Sequence, residues 1–362
     1  MRRLQILPLL LLSAPGAGFA LDLSPQGTIP SETRPFPRDS GSQDSPLPGR
    51  PAPPGPPSCG DCHRAIAKEW AASAHARSWT DELYQAALKT KRRPRSCWSC
   101  HIPGSVLARL PRKPKARTED RELGVHCLSC HVKDGKVHGP FGAETEAHES
   151  VKSEVFAKGR SDLCLACHKT RVGPVLPVGK DFLASPLPGK GKSCRDCHMP
   201  RVERPLASDP KTGEPSGPVR VGRGHRILGP SDPKFLRKAF RATQVLREGV
   251  WSLRLENRAG HRIPGLLLRA FEVRFRLLDS EGKEKDSSVK IIDGKNPLPF
   301  GGSLDHAFEN VEDGMRIEIT VDHLFGGMGP SARSGGRKNL GRVFEYRSGP
   351  PATGDDRPKK GN

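Results

Sequence analysis

The chain has 362 residues, of which 34% are hydrophobic and 5% aromatic, with 36 Pro, 39 Gly, ten Cys and a formal net charge of +20. That composition excludes a large continuous apolar core, so cohesion has to come from covalent staples or bound groups. The charge invites a nucleic-acid reading, but the basic residues are scattered among Pro and Gly rather than interleaved with aromatics, which argues for a field that attracts acidic partners instead.

Residues 1–20 read as a secretory signal, with Arg2 and Arg3 as the charged start, Ile6 to Leu12 as the apolar stretch and Ala17 or Ala20 as the small-residue exit. The apolar run is far shorter than the roughly 20 residues that span a bilayer. No later segment is long enough either, so an exported, periplasmic protein without a membrane span is expected. Residues 21–57 are rich in Pro, Ser and Gly, have no hydrophobic period and read as a disordered linker. Short helices are expected at 62–73, 81–88 and 144–156, each stopped by Pro, Gly or a basic turn.

From about Val245 the pattern switches to alternation: Trp251, Leu253 and Leu255, then Phe271, Val273, Phe275 and Leu277 opposed to Glu272, Arg274 and Arg276. Further strands are expected at Val289 to Ile292, at Met315 to Val321 and, as a last edge, at Val343 to Tyr346. The expected fold class is α+β, with a loop-rich, short-helix domain over 58–240, a small β-sandwich over 245–348 and a disordered tail over 349–362.

Every cysteine falls into one pattern: Cys59-Gly-Asp-Cys62-His63, Cys97-Trp-Ser-Cys100-His101, Cys127-Leu-Ser-Cys130-His131, Cys164-Leu-Ala-Cys167-His168 and Cys194-Arg-Asp-Cys197-His198. With His at 13 of 362 positions, five chance placements after Cys-x-x-Cys have a probability on the order of 10⁻⁷. Two thiols three residues apart in one helical turn can reach the two vinyl groups of one porphyrin, and the adjacent imidazole then meets the iron. Zinc sites or dithiol redox sites would not require a His after every pair. Five covalently attached haem c groups are therefore expected, held by the ten cysteines and the five motif histidines. Motif starts at 59, 97, 127, 164 and 194 put every second one 67 or 68 residues apart, hinting at a repeated pair of sites.

Eight histidines lie outside the motifs, and a neutral imidazole is a good sixth ligand, so His/His coordination is expected at most irons. His75 shares a helical region with His63, and His225 and His261 each follow a glycine, where crowding is low. His138 and His148 are near alternatives after the third motif. His126 abuts Cys127, while His306 and His323 fall in the β region, where structural histidines are the rule.

Cys59-x-x-Cys62-His63 followed by Trp70-x-x-Ser73-x-His75 resembles the opening of the cytochrome c-554 family, multihaem electron carriers related to hydroxylamine oxidoreductase and pentahaem nitrite reductase. Gly124 to His131, Cys194 to Pro200 and Gly224-His225-Arg226 are similar to its later haem segments. Asn257 to Gly265 is similar to a C-terminal β-domain of multihaem cytochromes of this group. The resemblance implies close-packed haems, with His75 and His225 as distal ligands. Where that family has Cys-His-Gly-Pro-Gly after the third haem, this chain has Cys130-His131-Val132-Lys133-Asp134, which weakens the case for His138. There is no Cys-x-x-Cys-Lys, and Tyr84 and Tyr346 sit in no recognisable motif.

Three functions follow. The first is an electron carrier working between redox protein partners, acidic ones by charge. The second is a haem enzyme with one open iron beside basic residues, acting on a small nitrogen or sulfur oxyanion. In the third, the β-domain is the functional face and binds a partner while the haems only relay charge.

Overall fold

The computed structural model describes residues 59–143, 145–247, 250–309, 311–326 and 336–348. The signal, the linker and the C-terminal tail expected from the sequence lie outside the described residues. Short helices dominate the first part: α1 (Cys59–Cys62), α2 (Arg64–Ala71), α3 (Glu82–Lys89), α4 (Arg95–His101), α5 (Cys127–His131), α6 (Asp162–His168), α7 (Val178–Ala184), α8 (Cys194–His198) and α9 (Pro233–Arg237). Several start on side-chain caps, which lets so short a helix begin at a fixed residue. Asp81 accepts from Tyr84 N at the head of α3, Ser193 and Asp196 cap each other's backbone around α8, and Asp232 accepts from Phe235 N before α9. Among the described residues no helix is long and apolar enough to cross a membrane.

Three minor strands, β1 (Val132–Lys133), β2 (Lys136–Gly139) and β3 (Ser150–Lys152), form a small sheet after the third motif. The helix expected over 144–156 is not there. In its place β3 pairs in parallel with β2, and a single 3-10 turn covers Glu154–Phe156. Backbone pairing to a neighbouring strand outcompetes the weak helical period of a stretch holding Val151 and Val155. A hairpin of β4 (Arg201–Ser208) and β5 (Pro215–Arg223) follows the fifth motif.

The remaining strands form two sheets. β10 (Ser303–Phe308), β7 (Val250–Asn257) and β6 (Phe240–Arg247) make one, and β12 (Lys338–Ser348), β11 (Arg316–Phe325), β8 (Arg269–Leu278) and β9 (Glu284–Asp293) make the other. Alternation is the cause. Trp251, Leu253 and Leu255 of β7 and Phe271, Val273, Phe275 and Leu277 of β8 point the same way along their strands and are all buried, sharing one hydrophobic cluster with Ile317, Ile319 and Val321. Every buried member of that cluster lies at or beyond Leu236. The first part of the chain, α+β with the rest but helical in itself, buries only scattered apolar residues such as Ile102, Val106 and Phe182.

The outer face of the larger sheet carries a charge ladder. Glu318 on β11 stands directly opposite Arg276 on β8 and Arg347 on β12, and is 1% exposed although it is ionisable. Burial works to raise its pKa, but hydrogen bonds from Arg347 (2.6 Å) and Arg276 hold it below the usual carboxylate range. A depressed folded pKa contributes stability above the unfolded value, and that stability is lost as pH falls through the folded one. Glu318→Gln is therefore expected to cost about 1–3 kcal/mol at pH 7, with the gap to wild type shrinking on acidification. Thermal unfolding at pH 7 and in acid checks both. A variant equally stable at pH 7 would remove the ladder from the account.

Candidate haem-binding sites

Each Cys-x-x-Cys-His unit closes on a short helical turn, α1, α4, α5, α6 or α8, which brings its two thiols to one side. None of the ten cysteines is in a disulfide. Four of the five motif imidazoles are oriented by the same device. Nδ1 of His63 meets Leu206 O at 2.7 Å, His101 meets Ser78 O at 2.6 Å, His131 meets His138 O at 2.8 Å and His198 meets Leu228 O at 2.6 Å. A carbonyl can only accept, so Nδ1 carries the proton and Nε2 keeps its lone pair for a metal.

Opposite four of these rings stands a second imidazole. Ring centroids are 6.4 Å apart for His63 and His148, 6.1 Å for His75 and His168, 6.2 Å for His131 and His225, and 6.3 Å for His198 and His261. Two imidazoles bound to one metal from opposite sides, each at about 2 Å, place their centroids roughly 6 Å apart. Burial lowers the pKa of His75 and His131 to about 4 and pulls His168, His198, His225 and His261 down as well. Those rings are uncharged near neutral pH, the state in which an imidazole ligates.

The four non-motif rings are delivered by built supports. Ser78 Oγ lies 2.8 Å from both His75 O and His101 O and shares its one hydrogen between them, and Val125 N donates to His75 O at 2.9 Å. That approach needs Gly124 (φ +57°), where a Cβ would sit 2.3 Å from His75 O. The backbone N–H of His225 donates to Glu69 Oε2 (2.8 Å), and Glu69 is gripped by both Nη atoms of Arg204 at 2.6 and 2.9 Å. His261 sits between a fully buried Asn257, whose amide donates to His261 O at 2.9 Å, and Arg262, which forks onto Asp181 of α7 at 2.5 and 2.6 Å. His148 Nδ1 lies 3.1 Å from Ser150 Oγ.

The remaining histidines are placed differently. His138 reaches the third motif through its carbonyl, which accepts from His131. His126 Nδ1 accepts from Leu128 N and so caps α5, and its ring lines a cavity of about 440 Å³ with Arg117 and Asp120. In the β region, His306 packs edge-on against Phe308, and His323 accepts from Arg269.

His101 stands apart, because no described histidine ring faces it at such a distance. Instead it is stacked on Tyr84, 3.7 Å away and within 5° of parallel. Trp79 meets Tyr84 and Trp98 edge-on at 5.9 and 5.8 Å, with Arg121 over the Trp98 ring at 4.8 Å. The Tyr84 hydroxyl and Trp98 Nε1 are both buried without a hydrogen-bond partner. Burial, with the Cys97 and Cys100 thiols nearby, pushes the phenol pKa up. Orphaned donors beside a motif, in a region without a continuous apolar core, fit a chain built around large prosthetic groups.

Thiols of different motifs also meet, a feature that no local pattern reveals. Cys59 is pulled down to about 6 by a hydrogen bond from Cys127, Cys100 likewise by Cys167, and Cys194 likewise by Cys164. Cys130 lies within electrostatic reach of Cys164 and Cys167. Groups tethered at these thiols would have neighbouring edges, linking the first motif to the third and the fourth to the second, third and fifth.

No curated protein matches the chain in sequence. Among solved structures, a penta-heme cytochrome c552 from Thermochromatium tepidum aligns over 80% of this chain and 97% of its own, with a TM-score of 0.56 at 15% identity, a likeness of fold. An endonuclease/exonuclease/phosphatase from Beutenbergia cavernae, covering 31% of this chain and 23% of its own at 14% identity, has a TM-score of 0.19 and carries no argument. The family model described as cytochrome c554 and c-prime matches residues 58–132, the stretch that holds the first three motifs, His75 and Tyr84. With three of the five Cys-x-x-Cys-His units inside that match, the chain is a multihaem c-type cytochrome whose residues 58–132 are similar to the cytochrome c554 and c-prime family.

Proposed function

We propose that all five motifs carry a covalent haem c and that the protein conducts electrons between redox partners in the periplasm. The four imidazole pairs carry this reading. They make His148, His75, His225 and His261 the distal ligands to the haems of His63, His168, His131 and His198. Haem iron supplies the one-electron chemistry; the chain's own work is to hold each Nε2 on its axis, exclude water and fix the distance between neighbouring groups. Two imidazoles per iron leave no position for a substrate, which suits a carrier. The thiol contacts support an unbroken path with the fourth haem as its junction. Residues 58–240 would house the haems, and the β-sandwich over 245–348 would lend His261. The partner best drawn by a charge of +20 is an acidic redox protein.

A second reading is favoured at one place. His101 has no imidazole opposite among the described residues, so its iron would keep an open face beside Arg121, where a small nitrogen or sulfur oxyanion could bind. Reductive titration of the mature protein tests the main proposal. Five electrons per chain are expected, with most haems titrating at the low potentials of His/His ligation. Uptake of fewer than five electrons would overturn it.

A further inference from the structure

Several half-buried arginines of this chain have carboxylate partners: Arg204 with Glu69, Arg223 with Asp196, Arg262 with Asp181 and Arg337 with Asp293. Arg269, at the head of β8, does not. Among the described residues its guanidinium hydrogen-bonds only the Nε2 of His323, at 2.8 Å, and covers the Phe325 ring at 5.4 Å. His323 is itself 3% exposed and stacked on Phe271 at 4.9 Å. Burial holds its pKa down to about 3, so it is a neutral acceptor. A neutral imidazole fixes the orientation of the guanidinium without cancelling its charge. Most of its five N–H donors are left for an anion, and a partly buried cation without one is costly.

The position says which anion. The segment before Arg269 is stitched to the chain beyond the fourth motif, with Leu267 N donating to Pro174 O at 2.9 Å and Leu176 N to Gly265 O at 3.0 Å. Asp81, which caps α3, lies within electrostatic reach of both Arg269 and the His101 imidazole. Tyr84, one turn into α3, is the residue stacked on His101. Arg269 thus projects from the β-sandwich toward the second motif. We infer that Arg269, backed by His323, is the seat for a propionate of the haem attached at Cys97 and Cys100. This rests on the haem reading above. It gives the β-sandwich a second task besides supplying His261: setting the charge beside the one iron without an imidazole pair.

The test uses the matured holoprotein. Arg269→Gln is expected to retain five haems by mass and to lower the reduction equilibrium of the His101 haem about tenfold, 59 mV for one electron, because a positive charge beside the ring favours the reduced state. The other four haems should titrate as in wild type. Arg269→Lys, which keeps the charge without the fork, is expected to shift the same haem by less and to alter its propionate bending band in resonance Raman spectra. Should the Gln variant fail to mature, that band decides: unchanged, it overturns the proposal. Acetate added to wild type separates a haem carboxylate from an exchangeable anion, since a resident propionate leaves every potential where it was. A saturable shift with acetate, or a five-haem Gln variant with unchanged potentials, would overturn the assignment. A wild-type protein with fewer than five haems counts against the underlying reading instead.

Discussion

In a His261→Ala variant, one haem is expected to pass from low spin to high spin and to acquire a site for cyanide or nitric oxide, while three imidazole-paired irons stay as they were. The effect is large because no other histidine ring among the described residues faces His198. His261 faces His198 at 6.3 Å, and its loop is locked by Asn257 and by the Arg262–Asp181 fork. His138→Ala is the control. That residue reaches the third motif only through a backbone carbonyl, which alanine retains, so spin states should not change. Absorption and electron paramagnetic resonance spectra of the two oxidised variants read both outcomes. A His261→Ala protein with wild-type spectra would remove His261 from the ligand set.

Phe275→Ala is expected to be the most destabilising single change in the β-sandwich. Its ring is 0% exposed, at the middle of β8 and within the cluster shared by both sheets. Truncating a buried Phe leaves a cavity and costs about 3–5 kcal/mol. Because the same sandwich carries His261, melting it should release a ligand. The high-spin signal of the His198 haem is therefore expected to rise together with loss of β structure, at a lower temperature than in wild type. Melting of the sheets with all spectra unchanged would separate the β-sandwich from the haem.

The sequence announced what was local. Five motifs, the α3 region and the strands around Trp251, Phe275 and Ile319 could be read because period and spacing belong to single elements. The β4–β5 hairpin could not. Its strands are full of Arg, Pro and Gly, and Val219 and Val221 of β5 are exposed at 60% and 53%, so no inward-outward alternation of apolar residues marks that strand. The helix expected over 144–156 gave way to β3 because pairing with β2 is a contact between segments.

The imidazole pairs show the same divide. His63 and His75 share one helical region, yet His75 turns to the fourth motif and His148 comes back to the first. Closeness in sequence made His138 one alternative beside the third motif, where its carbonyl accepts from His131 while the ring facing His131 is that of His225. Glu69 and Asp181 look like ordinary surface carboxylates until their arginine partners arrive from distant segments.

Counting spin states in the fully oxidised wild-type protein bears most directly on the arrangement of irons. Electron paramagnetic resonance combined with near-infrared magnetic circular dichroism should show four low-spin centres, each ligated by two imidazoles, and a fifth centre distinct from them. Fewer than four such centres, or methionine ligation at any of the four, would contradict it.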